Sequence, residues 1–262
     1  MGDERGRWLE TAVRAAREAG KILERRLGES REITYKGPGN IVTDADMAAQ
    51  ESILETIRAA FPHHAILSEE MVPPEADDGR PLWVVDPLDG TTNYSRRWPS
   101  FCVSIAVSEG GRVMAGAVYE PNLDEMFHAH RGGGAFVNGA PLRVSAVDSL
   151  TGALMSMNWP YGREGMAQAM RLLECLMPRV GTMRSVGSAA LSLCHVAAGR
   201  SDIYFHPSLY AWDVAAAGLI LEEAGGTLTD LQGEPWTLQS AQCLGTNSLL
   251  LEEVVEVLDD CR

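Results

Sequence analysis

"VVDPLDGTTNY", residues 84–94, ends an apolar run with two aspartates, Asp86 and Asp89, three residues apart. Pro87 fixes φ and removes an N–H, so the chain leaves a buried strand here in a set direction. Asp89 then returns near the start of a turn or helix, and both carboxylates can face one point. Gly90 lets backbone approach a ligand closely, and the N–H groups of Gly90, Thr91 and Thr92 at a helix start suit a phosphate. Two carboxylates roughly 4 Å apart repel by about 1 kcal/mol in water, and by several times that at lower effective dielectric. No lysine or arginine stands between Pro81 and Ser95 to relieve this. A divalent cation would. Taken alone, the same aspartates also fit the ordinary work of turn former and helix N-cap.

Other acidic residues stand in similar places. Glu69-Glu70 end the apolar run of "HAILSEE", Asp46 follows the glycine-containing "GPGN" loop at 37–40, and Asp213 follows Trp212 at the head of "WDVAAAGLILEEAGG". Asp46 and Asp213 read singly as helix caps, yet four acidic strand ends or helix starts together make an all-oxygen cage suited to Mg²⁺.

Around these points the pattern divides in two. Trp8, Ala12, Ala16, Ala19, Leu23 and Leu27 recur at helical steps, and Gly28 is a natural stop. A short strand at 33–36 follows, then Thr43-Asp44-Ala45-Asp46 resembles a capping box opening a second helix through Ile53, Ile57 and Phe61. "HAILSEE" and "PLWVVD" read as buried strands, and 101–145 as a meander with turns at Glu109-Gly110-Gly111, "RGGG" and Asn138-Gly139. The first half, 1–146, is therefore expected to pack helices on an antiparallel sheet. From 147 to 262 strands and helices alternate, with helices near 164–177, 188–198, 213–224 and at the C-terminus, predicting a layered α/β half with a mixed sheet. "PPEADDGRP" (73–81) is the most loop-like stretch.

With 262 residues, 45% of them hydrophobic, the chain suits one large domain or two intimately packed ones. A formal charge of −14 argues against nucleic acid or an anionic membrane as partner. Five dispersed cysteines without a CxxC pair predict buried, unpaired thiols in a reducing compartment. The N-terminal residues show no apolar signal core and no run reaches membrane-spanning length, so a cytoplasmic protein is expected.

"WVVDPLDGTTNY" resembles the DPxDGT signature of the inositol monophosphatase family, and "WDVAAAGLILEEAGG" resembles its second signature. "SEE", "RGGGAFVNG" and "RSVGSAA" resemble family segments in the expected order, so the likeness spans nearly the whole chain. The resemblance implies a layered αβαβα fold and a Mg²⁺-dependent, lithium-sensitive phosphomonoesterase acting on a small phosphate ester as a homodimer. It implies two or three Mg²⁺ per site, with Mn²⁺ as a possible substitute. Glu69, Asp86 and the Leu88 carbonyl would hold the ion that activates water, and Asp86, Asp89 and Asp213 a second. Thr91 would hold the nucleophilic water with Glu69, with Asp46 behind Thr91 as a relay. Leu88, Asp89, Gly90, Thr91, Gly187, Ser188, Ala189, His206 and Asp213 would meet the substrate.

Inositol-preferring members commonly carry a glutamate seven residues before the second-signature aspartate, and here that residue is His206. A histidine has at most one acceptor, so it favours a second anionic group or a different alcohol. The Trp159-Pro160-Tyr161 loop is a further candidate for the pocket wall, and Lys36 for a flap over the metals. Inositol 1-phosphate is the first expected substrate. Fructose 1,6-bisphosphate, 3′-phosphoadenosine 5′-phosphate, NADP and histidinol phosphate are the alternatives, and a non-catalytic metal- or protein-binding relative is the alternative from another class.

Overall fold

The computed structural model describes residues 2–29, 32–37, 40–72 and 79–260. Helix α1 (Gly2–Arg26) leads through the ribbon β1 (Ile33–Gly37) and β2 (Asn40–Thr43) into α2 (Asp44–Ala60). Strands β3 (Ala65–Ser68) and β4 (Leu82–Asp89), the short α3 (Thr91–Ser95) and the meander β5 (Cys102–Glu109), β6 (Arg112–Glu120), β7 (Glu125–His130), β8 (Ala135–Val137) and β9 (Ala140–Pro141) complete the first sheet. The remainder runs β10 (Leu154–Met157), α4 (Arg163–Leu176), β11 (Thr182–Arg184), α5 (Ala189–Ala197), β12 (Ile203–His206), α6 (Ala211–Glu223), β13 (Thr227–Thr229), β14 (Cys243–Thr246) and α7 (Leu251–Asp259).

The layers follow from which faces are apolar. On α1, Trp8, Ala12, Ala15, Ala16, Ala19 and Leu23 are buried, and they pack with Ile53 and Ile57 of α2 against one face of the seven-stranded sheet β3-β4-β5-β6-β7-β8-β9. Helices α5 and α6 cover its other face, through Val84, Cys102, Ala106 and Val118. A helix between two sheets must be apolar all round, and α6 buries Val214 to Leu221 without interruption. Its small residues let it come close: a Cβ on Gly116 of β6 would stand 2.9 Å from the Ala216 Cα. Beyond lies the five-stranded sheet β11-β10-β12-β14-β13, closed outside by α4 and α7 through Leu172, Leu176, Val254 and Leu258. The result is the layered α/β sandwich expected, its second sheet mixed.

Two features depart from expectation. The first sheet is antiparallel except that β3 and β4 pair parallel, Ser68 opposite Val85. Cys102, Cys194 and Cys243 are buried free thiols, but Cys175 is disulfide-bonded, against the expectation of unpaired cysteines throughout. Pro38 and Gly39 of the "GPGN" loop, the Lys36 side chain and residues 73–78 lie outside the described residues. Among the described residues no helix is long and apolar enough to cross a membrane.

Candidate active site

The parallel pairing of β3 with β4 brings the C-terminal ends of both strands to one edge. The Glu69 N–H donates to the Val85 carbonyl at 3.2 Å, which sets Glu69 beside Asp86. Asp86 is buried, and its Oδ1 accepts the Leu88 N–H at 3.0 Å across the Pro87 turn. The register with β5 breaks between Asp86 and Asp89, and the chain then turns at Gly90, whose φ is +99°. A Cβ there would meet the Ser100 carbonyl at 3.0 Å, so glycine is required by conformation and by space. Thr91, at the head of α3, donates its hydroxyl toward the Leu88 carbonyl at 3.0 Å and Asp46 Oδ1 at 3.2 Å. Asp46 is held in turn by its own helix start: Oδ2 accepts the Thr43 N–H at 2.9 Å and the Thr43 hydroxyl at 2.5 Å. Burial pushes the Asp46 carboxyl up to about 6.

Two helices of the later half complete the acidic wall. Asp89 is tied to the start of α5: Oδ2 accepts the Ser188 hydroxyl at 2.6 Å and the Ala190 N–H at 2.7 Å, and Oδ1 accepts the Ala189 N–H at 3.3 Å. Asp213, in the first turn of α6, accepts the Tyr210 N–H at 2.7 Å. Asp86, Asp89 and Asp213 thereby each bring a carboxylate oxygen within 4.8 Å of the others. Burial, then the charges of Glu69, Asp89 and Asp213, hold the Asp86 carboxyl well above the ordinary range, and burial likewise raises Asp89. None of the described residues lining this cavity, about 430 Å³ in volume, is a lysine or arginine. A divalent cation held by Asp86, Asp89 and Asp213, with Glu69 lining the same cavity, fits this donor set: hard oxygen ligands, two of them buried, crowded close enough to repel one another.

Of the residues expected to form the site, Glu69, Asp86, Leu88, Asp89, Gly90, Thr91, Gly187, Ala189, His206 and Asp213 all line the cavity. Asp46 stands behind Thr91. Ser188 does not meet the cavity: it is 1% exposed, caps α5 by accepting the Leu191 N–H, and spends its proton on Asp89. An N-cap side chain turns back over its own helix. Asn93, Asn158, Tyr210 and Trp212 also line the cavity and gave no local signal. Asn93 Nδ2 donates to the carbonyls of Ser100 and Val186 and so ties the two halves together, and Asn158 Oδ1 accepts the Gly187 N–H, joining two loops of the second half. His206, at the end of β12, is 3% exposed and accepts the Ser208 N–H at Nδ1.

Alternating helix and sheet layers with clustered carboxylates at strand ends and a helix start define a layered α/β protein built around an acidic cluster that could hold a metal ion. The chain belongs to the inositol monophosphatase family, whose model matches residues 4–262. A Nus factor SuhB of Pasteurella multocida is 39% identical over 258 residues, covering 97% of this chain and 96% of the relative. An inositol monophosphatase of Dictyostelium discoideum is 37% identical over 261 residues, covering 96% and 94% respectively. Among solved structures, a Thermotoga maritima IMPase superposes with a TM-score of 0.89 at 35% identity, covering 97% of each chain. Membership supports a phosphatase that binds metal.

Proposed function

We propose that this protein is a Mg²⁺-dependent phosphomonoesterase that hydrolyses a small phosphorylated alcohol. The observation that carries the reading is the cluster of Asp86, Asp89 and Asp213, with Glu69 lining the same cavity, placed beside the Thr91–Asp46 pair. When bound, divalent ions would draw in the phosphate, stabilise charge on the transferring phosphoryl group and make a water more acidic. The chain's own groups orient that water. The Thr91 proton is engaged by Asp46 and the Leu88 carbonyl, so the hydroxyl oxygen is left to accept from a water, with Glu69 lining the same space. Asp46 Oδ1 can take up or release a proton through Thr91 near neutral pH, given its raised carboxyl. First-turn N–H groups of α3, which have no intrahelical acceptor, face the phosphate without adding a charged side chain.

Relatives named for inositol monophosphate chemistry make inositol 1-phosphate the first ester to test. Inhibition by lithium and a homodimeric state belong to the same reading. Relatives named Nus factor SuhB favour a second one, in which the fold binds a protein partner, but every residue expected of the catalytic set is present. Phosphate release from inositol 1-phosphate, fructose 1,6-bisphosphate, 3′-phosphoadenosine 5′-phosphate, NADP and histidinol phosphate is expected only with Mg²⁺ or Mn²⁺. Undiminished turnover in excess EDTA would sink the mechanism.

A further inference from the structure

The two oxygens of Asp89 share their hydrogen-bond donors unequally. A carboxylate oxygen has lone pairs for about two strong partners. Among the described residues Oδ1 accepts only the Ala189 N–H, at 3.3 Å. Oδ2 accepts the Ser188 hydroxyl at 2.6 Å and the Ala190 N–H at 2.7 Å, both from the start of α5. A third donor reaches Oδ2 from the neighbouring strand: the Cys102 thiol, with Sγ 3.8 Å away.

Cys102 opens β5 and stands opposite Asp89, just past the break in register between Asp86 and Asp89. It is fully buried and does not line the cavity, so neither solvent nor substrate competes for its proton. The sense of its bond follows from its neighbours. Sγ also lies 3.6 Å from Ser188 Oγ, but Ser188 gives its one proton to Asp89 and already accepts the Leu191 N–H at 3.2 Å. The thiol therefore meets acceptors and no donor, and the carboxylate is the stronger of the two acceptors. Sulfur makes the contact possible by its size. A hydroxyl donor would have to come within about 3 Å of Oδ2 to bond it.

We propose that Cys102 is a positioning residue for the bound cation: its S–H completes the donors around Asp89 Oδ2, commits that oxygen to the protein and leaves Oδ1 as the atom offered to the ion. Two donors on one helix start hold the carboxylate from a single side. The thiol, on a different strand, holds it from another, so the group cannot rotate to exchange its oxygens without breaking bonds to two elements. A weak donor does this without drawing much charge from the ligand. The inference rests on the metal-dependent reading above and adds a residue to it that lies outside the cavity.

The test has two arms, neither of which needs turnover. In the first, Mg²⁺ is titrated calorimetrically into metal-free wild type, Cys102→Ala and Cys194→Ala, with Tm recorded for each. Cys194 is an equally buried free thiol of the same core, with no bond to Asp89 among the described residues, so its variant controls for lost packing. Cys102→Ala should raise the Mg²⁺ Kd by about tenfold, the lower end for a group that orients a metal ligand. Cys194→Ala should lose comparable Tm and keep the wild-type Kd. An unchanged Kd in Cys102→Ala, or an equal rise in Cys194→Ala, overturns the proposal. The second arm reads the S–H stretch of the metal-free wild type by Raman spectroscopy, so it holds even if a variant fails to fold. One thiol should vibrate below the others, as a donor to a carboxylate does, and Mg²⁺ should move that band up by drawing charge from Asp89. A set of S–H bands that Mg²⁺ leaves untouched overturns it as well. Phosphate release from inositol 1-phosphate is recorded alongside. If none is released while both arms hold, the phosphomonoesterase reading fails and the assignment of Cys102 stands.

Discussion

On one side of the cavity stand Glu69, Asp86, Asp89 and Thr91, carried by strand ends and the turn that follows them. On the other stand His206 and the aromatic residues of the loops after β10 and β12. The acidic side is the more deeply set and is held by hydrogen bonds: Asp86 by the Leu88 N–H, Asp89 by Ser188, Ala189 and Ala190 at the start of α5, Asp46 by Thr43. The aromatic side is more open at its rim: Trp159, Tyr161 and Tyr210 are exposed, while Trp212 is partly buried and stacks on Tyr210. Rigid, preorganised charge suits a reaction centre whose geometry must not vary, and a loop-built rim suits the part of a substrate that differs from one relative to the next. The same contrast predicts that damage to the first side removes chemistry, while change on the second redirects it.

The largest effect is expected from Asp89→Asn, which deletes one of the three clustered carboxylates while sparing its shape. It should lower kcat/KM by about a thousandfold and raise the Mg²⁺ concentration needed for half-maximal rate. Full activity at ordinary Mg²⁺ would show that the acidic wall is not the reaction centre. Next comes Thr91→Val, which keeps the volume and removes the hydroxyl. A loss of about a hundredfold in kcat with little change in KM is expected, and a pure KM effect would place Thr91 on the binding side instead.

Protonation separates the two sides further. Asp46, Asp86 and Asp89 are all raised in the folded chain, Asp46 to about 6, so the metal-free fold binds more protons than the unfolded chain. Their contribution is full below the ordinary carboxylate range and is lost as pH rises through the folded-state values. Metal competes with those protons. The rise in Tm on adding Mg²⁺ should therefore be larger at about pH 7.5 than at about pH 5, approaching the equivalent of about 2–3 kcal/mol at a hundredfold excess over Kd. A Mg²⁺ shift that shrinks as pH rises would contradict the assignment. The smallest effect is expected from Ser188→Ala, which leaves the cavity lining intact but removes the hydroxyl from Asp89. It should cost about 1 kcal/mol of stability, read by urea denaturation, and weaken Mg²⁺ dependence only a few-fold. An unchanged Mg²⁺ requirement would make that bond purely structural.

Much of the acidic side was legible before any coordinates. An apolar strand that runs into aspartates, a glycine and two threonines are local signals, and Asp86, Asp89, Gly90 and Thr91 all line the cavity, although the strand continues through Pro87 to Asp89 with a break in register instead of ending at Asp86. The capping at the start of α2 was equally local: Asp46 reaches back to the Thr43 N–H as its spacing suggests. Glu69 was legible as a strand end, but its place beside Asp86 depends on β3 and β4 running parallel, whereas the first half read as antiparallel throughout. Had they paired the other way, Glu69 would stand at the far edge of the sheet. The bond from Ser188 to Asp89 was not legible, because a residue at a helix start can face a ligand or its own helix, and its neighbours do not say which. Tyr210 escaped notice because in a string of residues an exposed aromatic looks like one bound for the core.

The amino-acid sequence by itself determined the element types, the layered class and the chemistry of the acidic strand ends, since φ limits, capping and hydrophobic periodicity act within a few residues. Only the tertiary structure decided which carboxylates share a point, that Ser188 serves Asp89, and that His206 lines the same cavity as the carboxylates. Those outcomes depend on strand direction and on packing between segments distant along the chain, where the burial of a group and the partner it meets set its charge and the sense of its hydrogen bond.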